Sequence, residues 1–95
     1  MEYKKLLDIV KNYIDDETST EVANMFCIDF MEEFYNVADA LEKEVEQRIY
    51  ELFDDINLVC DSYEPNIKIR ENDKYCIDEI LLRNKVLELY KKIVA

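Results

Sequence analysis

Twenty-three of the 95 side chains are carboxylates, the only chemically versatile group present in quantity. Two neighbouring carboxylates can act as general acid and base or share a divalent cation, but at this density close pairs arise by chance. Acid–base and nucleophilic catalysis near neutral pH ordinarily recruit histidine. The sequence has none, which removes Ser-His-Asp and Cys-His constellations and the Glu-x-x-His pairs of di-iron helical bundles. It has no glycine either, so neither a glycine-rich phosphate loop nor a calcium loop with its central glycine can form. Weak magnesium binding by carboxylates stays open. Cys27, Cys60 and Cys76 leave an odd thiol in any pairing, and their wide spacing lacks the close pairs of a zinc site or disulfide scaffold. They read as reduced, buried thiols; Cys60 or Cys76 would be reactive only if exposed beside a cation. No catalytic residue, cofactor or metal ligand is assigned, and the chain is expected not to be an enzyme.

What these carboxylates can do is bind. Glu42, Glu44, Glu46, Glu51, Asp54, Asp55, Asp61 and Glu64 fall on one expected helix together with its apolar stripe. A run of acids is most often a solvated helix face; here the density, with few local bases, favours a surface that meets Lys and Arg on a partner. Residues 1–40 carry 10 acids against 3 bases, 41–65 carry 8 against 2, and 66–95 carry 5 against 7. The acidity therefore sits in the first two thirds. A net charge of −11 repels nucleic acid and anionic lipid and steers basic surfaces inward. Among aromatic anchors, Tyr63 is in register with the apolar stripe and reads equally as core, Tyr75 lies in a polar connection, and Tyr50 falls off the stripe beside Glu46, Glu51 and Asp54 as the better exposed candidate.

The elements that must position these groups are helices. Without glycine and with one proline, tight strand turns are disfavoured, while 49% apolar residues suffice for one core. Tyr3, Leu6, Leu7, Val10, Tyr13 and Ile14 form the stripe of a first helix that ends near Asp15-Asp16. Thr18-Ser19-Thr20-Glu21 has capping-box form for a second, whose face repeats Val22/Ala23, Phe26/Cys27, Phe30/Met31 and Phe34 to about Tyr35. Asn36 to Asp39 then reads as a break, with Asp39 and Glu42 capping a third helix along Val45, Ile49, Leu52, Ile56, Val59 and Tyr63. Pro65 ends it. Residues 65–77 form a polar connection in which Ile67, Ile69, Tyr75 and Ile77 could mark a short strand, and Asp78 caps a last helix carrying Leu82, Val86, Leu89, Tyr90 and Ile93 inward. The expected fold is all-α: one domain over residues 1–95, an antiparallel four-helix bundle. The apolar segment Val22 to Met31 is interrupted by Asn24 and Asp29 and cannot span a membrane, and the amino terminus reaches Asp8 without a signal-peptide core. A cytoplasmic protein is expected.

The segment Asp61-Ser62-Tyr63-Glu64-Pro65-Asn66, followed by Tyr75-Cys76-Ile77-Asp78 and then Leu82, Val86 and Leu89, resembles the carboxyl-terminal half of the colicin D immunity protein family, with relatives among immunity proteins of contact-dependent growth inhibition. The likeness covers about the last 35 residues; the first half agrees only in helix order and in Tyr13-Ile14 before the Thr18 cap. It implies a compact four-helix bundle that neutralises a nuclease toxin, typically a tRNase, by covering its basic cleft with carboxylates. Asp61, Glu64 and Asp78 are the matched acids; Glu51, Asp54 and Asp55 come from helix geometry, and Tyr63 is the aromatic within the matched segment.

The expected function is thus a bacterial immunity protein that binds a cognate basic nuclease toxin domain one-to-one through Glu51, Asp54, Asp55, Asp61, Tyr63, Glu64 and Asp78, with no direct contact to nucleic acid or membrane. The expected state of the free protein is a monomer, although self-association through the aromatic second helix is an alternative. Other readings are an acidic helical adaptor or antitoxin for an unrelated basic protein, and a carboxylate-based, metal-dependent enzyme.

Overall fold

A computed structural model describes residues 3–95; Met1 and Glu2, which open the amino-terminal segment considered above, lie outside the described residues. Five helices follow one another: α1 (Lys4–Asp15), α2 (Thr20–Glu44), α3 (Gln47–Ser62), α4 (Ile67–Asn72) and α5 (Glu79–Val94). The all-helical reading holds.

Local chemistry explains the starts of α2 and α5. Ser19 caps α2, its Oγ accepting from the Val22 amide at 3.1 Å. The cap is one residue later than the Thr18 box requires, and Glu21 instead lies in the first turn, where its charge suits the positive end of the helix. Asp78 caps α5 as its sequence implies, Oδ1 accepting from Leu81 at 2.9 Å, with Lys91 and Lys92 in the last turn. The chain leaves its helices through extended residues such as Asp16, Val45, Tyr63 and Asp73. No described residue needs a positive φ, which is how a glycine-free sequence turns without strain.

The expected break at Asn36–Asp39 does not occur. α2 runs through it for 25 residues, about 37 Å at helical rise, close to the 41 Å longest dimension of the molecule. Leu41, fully buried, and half-buried Val37 and Ala38 extend the Phe30–Phe34 stripe by further steps of three and four. Burying a leucine is worth about 1.5–3 kcal/mol, against up to about 0.7 kcal/mol for a poor helix former such as Asn or Asp, so burial wins. The stripe ends at Leu41 because Glu42, Lys43 and Glu44 are polar; Val45 and Glu46 make the turn, and the Glu46 carbonyl accepts from Ile49 and Tyr50 to start α3. Glu42 and Glu44 therefore belong to α2 and Glu46 to the junction, not to the helix of Glu51.

The α3 stripe is also rotated from expectation. Phe53, Ile56 and Cys60 are buried, whereas Leu52 and Val59 are only half-buried. After Pro65 the polar connection contains α4, one and a half turns capped by Asn66, with Ile67 and Ile69 exposed. The strand alternative reduces to a single bridge in which the Ile77 amide donates to the Ser62 carbonyl at 2.9 Å and the Glu64 amide to the Ile77 carbonyl at 3.0 Å.

Each long helix packs against the next, and α5 closes on α1 as well as α2 and α3. An aromatic ladder threads the core, from Tyr13 stacked on Phe26 at 4.1 Å through Phe30 and Phe34 to Tyr50. The inward sets expected for α1 and α5 hold, with Leu6, Val10 and Tyr13 and Leu82, Val86 and Ile93 buried. The three cysteines are free thiols; Cys27 and Cys60 are buried and meet across the α2/α3 contact, whereas Cys76, expected to be buried, is half-buried, and the hydrogen bond to Cys27, then burial, pushes the Cys60 thiol far up. No described helix is long and apolar enough to cross a membrane.

Candidate functional site: an acidic face on α2 and α3

α3 buries Phe53, Ile56 and Cys60, so helical periodicity turns Glu51, Asp54, Asp55, Leu58 and Asp61 to the opposite side. Glu51, Asp55 and Asp61 are exposed and Asp54 is half-buried. Leu58, 56% exposed, stands among them as the one large apolar side chain of that face.

Whether this charge is free depends on where the cations go. The ion pairs among the described residues join Lys5 to Glu33, Arg70 to Glu79 and Lys92 to Glu88, none involving an α3 acid. Arg48, the sole base on α3, donates to the Lys92 carbonyl at 2.9 Å, at the end of α5. Arg83 likewise donates to the Ile14 carbonyl at the end of α1, and Arg70 to the Glu64 carbonyl at 2.6 Å. Every arginine of the sequence is thus engaged on a main-chain carbonyl at or just beyond the end of a helix, where unsatisfied acceptors and the negative end of the helix dipole favour a cation. From Asn12 to Ile67 sixteen acids face only Lys43 and Arg48.

The remaining sequence candidates have local duties. The Glu64 carboxylate accepts from the Asn66 amide at 3.3 Å, while its main chain holds Ile77 and Arg70. One Asp78 oxygen is taken by the α5 cap. Tyr63 is half-buried with its hydroxyl sealed from solvent and without a hydrogen-bond partner; burial, then the nearby Glu79 carboxylate, raises its phenol above the ordinary value. The structure thus assembles Glu51, Asp54, Asp55 and Asp61 on one face and leaves Tyr63, Glu64 and Asp78 at the α3–α5 corner.

Tyr50 is corrected: it is half-buried, its ring 5.9 Å from that of Phe34, and is not a free anchor. Burial, then the charges of Glu42, Asp54 and Asp39, holds its phenol above the ordinary value, so acids of both α2 and α3 act on that hydroxyl. Asp39 is a functional candidate the sequence reading spent on a cap that does not form; Glu42, counted there in the acidic tract as well, follows it on α2. The exposed aromatics are instead Tyr35, 85% exposed on α2, and Tyr75, 75% exposed with the Lys74 ammonium 5.3 Å from its ring centre. A continuous α2 would have placed Tyr35, Asp39 and Glu42 on one side by their spacing of four and three.

Among the described residues no three metal-ligating side chains converge. No family model, curated protein or solved structure matches the chain.

Proposed function

We propose that this chain is an immunity protein that neutralises a cognate basic nuclease toxin domain, typically a tRNase, by laying the acidic face of α3 and the adjoining end of α2 over the toxin's phosphate-binding cleft. A cleft built to hold phosphates presents Lys and Arg, which pair with carboxylates in charge-assisted hydrogen bonds. The observation that carries the reading is that Glu51, Asp54, Asp55 and Asp61 share one face and none is paired with a cation of the described chain. Their solvation is cheap to maintain in the free protein, and their mutual repulsion is relieved when an opposite charge arrives. Glu64, Asp78 and Tyr63 lie at the α3–α5 corner, where Glu64 and Asp78 hydrogen-bond the main chain. In this reading the four long helices form an antiparallel bundle, the protein is a cytoplasmic monomer, and the complex is one-to-one, in keeping with the resemblance to colicin D immunity proteins in Asp61-Ser62-Tyr63-Glu64-Pro65-Asn66.

The test is co-expression with the nuclease toxin domain encoded immediately upstream, scoring growth rescue and recovery of an equimolar complex. Asp54→Lys, Asp55→Lys and Asp61→Lys are each expected to weaken that complex about tenfold or more and to flatten its salt dependence, because a reversed charge repels the surface it previously attracted. Their melting temperatures should stay near that of the parent, since the α3 acids have no cationic partner to lose. Unchanged affinity and salt dependence across all three reversals would overturn the acidic-face mechanism.

A further inference from the structure

Between α2 and α3 runs an open groove of ≈ 510 Å³ lined by Met31, Phe34, Tyr35, Ala38, Asp39 and Asn57. Its lining is mostly apolar or aromatic, and its charge is of one sign. Asp39 lies in the wall, Glu42 follows it by one helical step of three, and Asp54 sits between Tyr50 and Asn57 on the opposing helix, four residues after one and three before the other. The Tyr50 ring packs on Phe34 in the groove wall, and the charges of Glu42, Asp54 and Asp39 all act on its phenol. The neighbouring groove between α1 and α2 differs. It is smaller, ≈ 310 Å³, and its acids Asp29, Glu32 and Glu33 are accompanied by Lys5, which already pairs with Glu33 at 3.4 Å.

We infer that the α2/α3 groove seats a single arginine side chain of the basic partner, its stem and guanidinium plane lying against Phe34, Tyr35, Met31 and Ala38 and its head meeting Asp39 and Asp54. This rests on the reading of the acidic face as a partner-binding surface and names the side chain that face selects. Arginine fits better than lysine because its planar, weakly hydrated cation stacks on aromatic rings and bonds carboxylates through a fork, whereas an ammonium stays strongly hydrated. A second copy of this chain does not fit. Its own arginines are engaged on main-chain carbonyls, and two surfaces from a protein of charge −11 repel.

The test uses two labelled peptides of identical length and charge, one with arginines as its cations and one with lysines, titrated against the full chain by fluorescence anisotropy at low salt. The arginine peptide is expected to bind roughly fivefold tighter. Tyr35→Ala, at a position too exposed to unfold the core, should abolish that preference by weakening the arginine peptide far more than the lysine peptide; Asp39→Asn should weaken both. Equal affinities, or a preference that survives Tyr35→Ala, overturn the groove assignment while leaving the acidic face standing if Asp55→Lys still weakens both peptides. No binding of either peptide overturns the acidic face itself and the groove with it. Dimers in sedimentation that Tyr35→Ala dissolves would assign the groove to a second copy and overturn the arginine seat.

Discussion

The three thiols differ in surroundings more than their identical chemistry suggests. Cys27 and Cys60 are buried in the core, while Cys76 is half-buried in the turn before α5. Burial, then Asp73 and Glu64, raises the Cys76 thiol above its ordinary value, with Arg70 acting against them. Since the thiolate is the reacting form, Cys76 should react with a disulfide reagent at neutral pH more slowly than a free cysteine, yet ahead of the other two, which should react only when the fold opens. Counting modified thiols over time, with and without denaturant, checks this. Three equal rates in the folded protein would contradict the burial described. At this scale the carboxylates divide as well: the same residue type caps a helix at Asp78, closes a turn at Glu64 and stands unpaired in solvent at Asp55, and only its partners separate the three.

At the scale of elements, Asp78 and Asp39 form a natural comparison. Both look like caps in sequence, but Asp78 caps α5 and Asp39 lies inside α2. Asp78→Ala should cost about 1 kcal/mol, lowering the melting temperature by about 4–8 °C for a chain this size. Asp39→Ala should be neutral or slightly stabilising, because alanine is the better interior helix former and nearby acids lose a repelling neighbour. Thermal denaturation of the two variants checks both, and a loss at Asp39 matching that at Asp78 would restore the break near Asn36. The long α2 also shapes the site, since carrying the helix through Asn36–Asp39 sets Tyr35, Ala38 and Asp39 in the wall of one groove with Asn57 of α3.

Across the whole molecule, the aromatic ladder that supports the core carries a pH cost. Burial, then Cys27 and Cys60, pushes the Tyr13 phenol well above its ordinary value of 10.0, with Arg83 opposing, and Tyr50 and Tyr63 are shifted the same way. A raised folded value means the fold favours the neutral phenol. That contribution is complete below the unfolded value of about 10 and is lost as pH climbs from there toward the folded value, because the unfolded chain ionises first. The melting temperature should therefore fall steadily above about pH 10, with tyrosinate absorbance rising alongside unfolding, and Tyr13→Phe should flatten the fall. A melting temperature independent of pH in that range would contradict the buried ladder.

Much was legible from the chain itself: the helical class, the inward sets of α1 and α5, the Asp78 cap, the stop before Pro65 and the acidic excess before residue 66. These depend on local periodicity, capping and charge, which neighbouring residues determine among themselves. The course of α2 through Asn36–Asp39, the rotation that buries Phe53 and Cys60, the packing of Tyr50 on Phe34 and the engagement of Arg48, Arg70 and Arg83 on distant or local carbonyls were decided by the tertiary structure. Each weighs a small local preference against burial or a partner elsewhere in the fold. Arg48 and Lys92 are separated by 44 residues, and no window of sequence contains both.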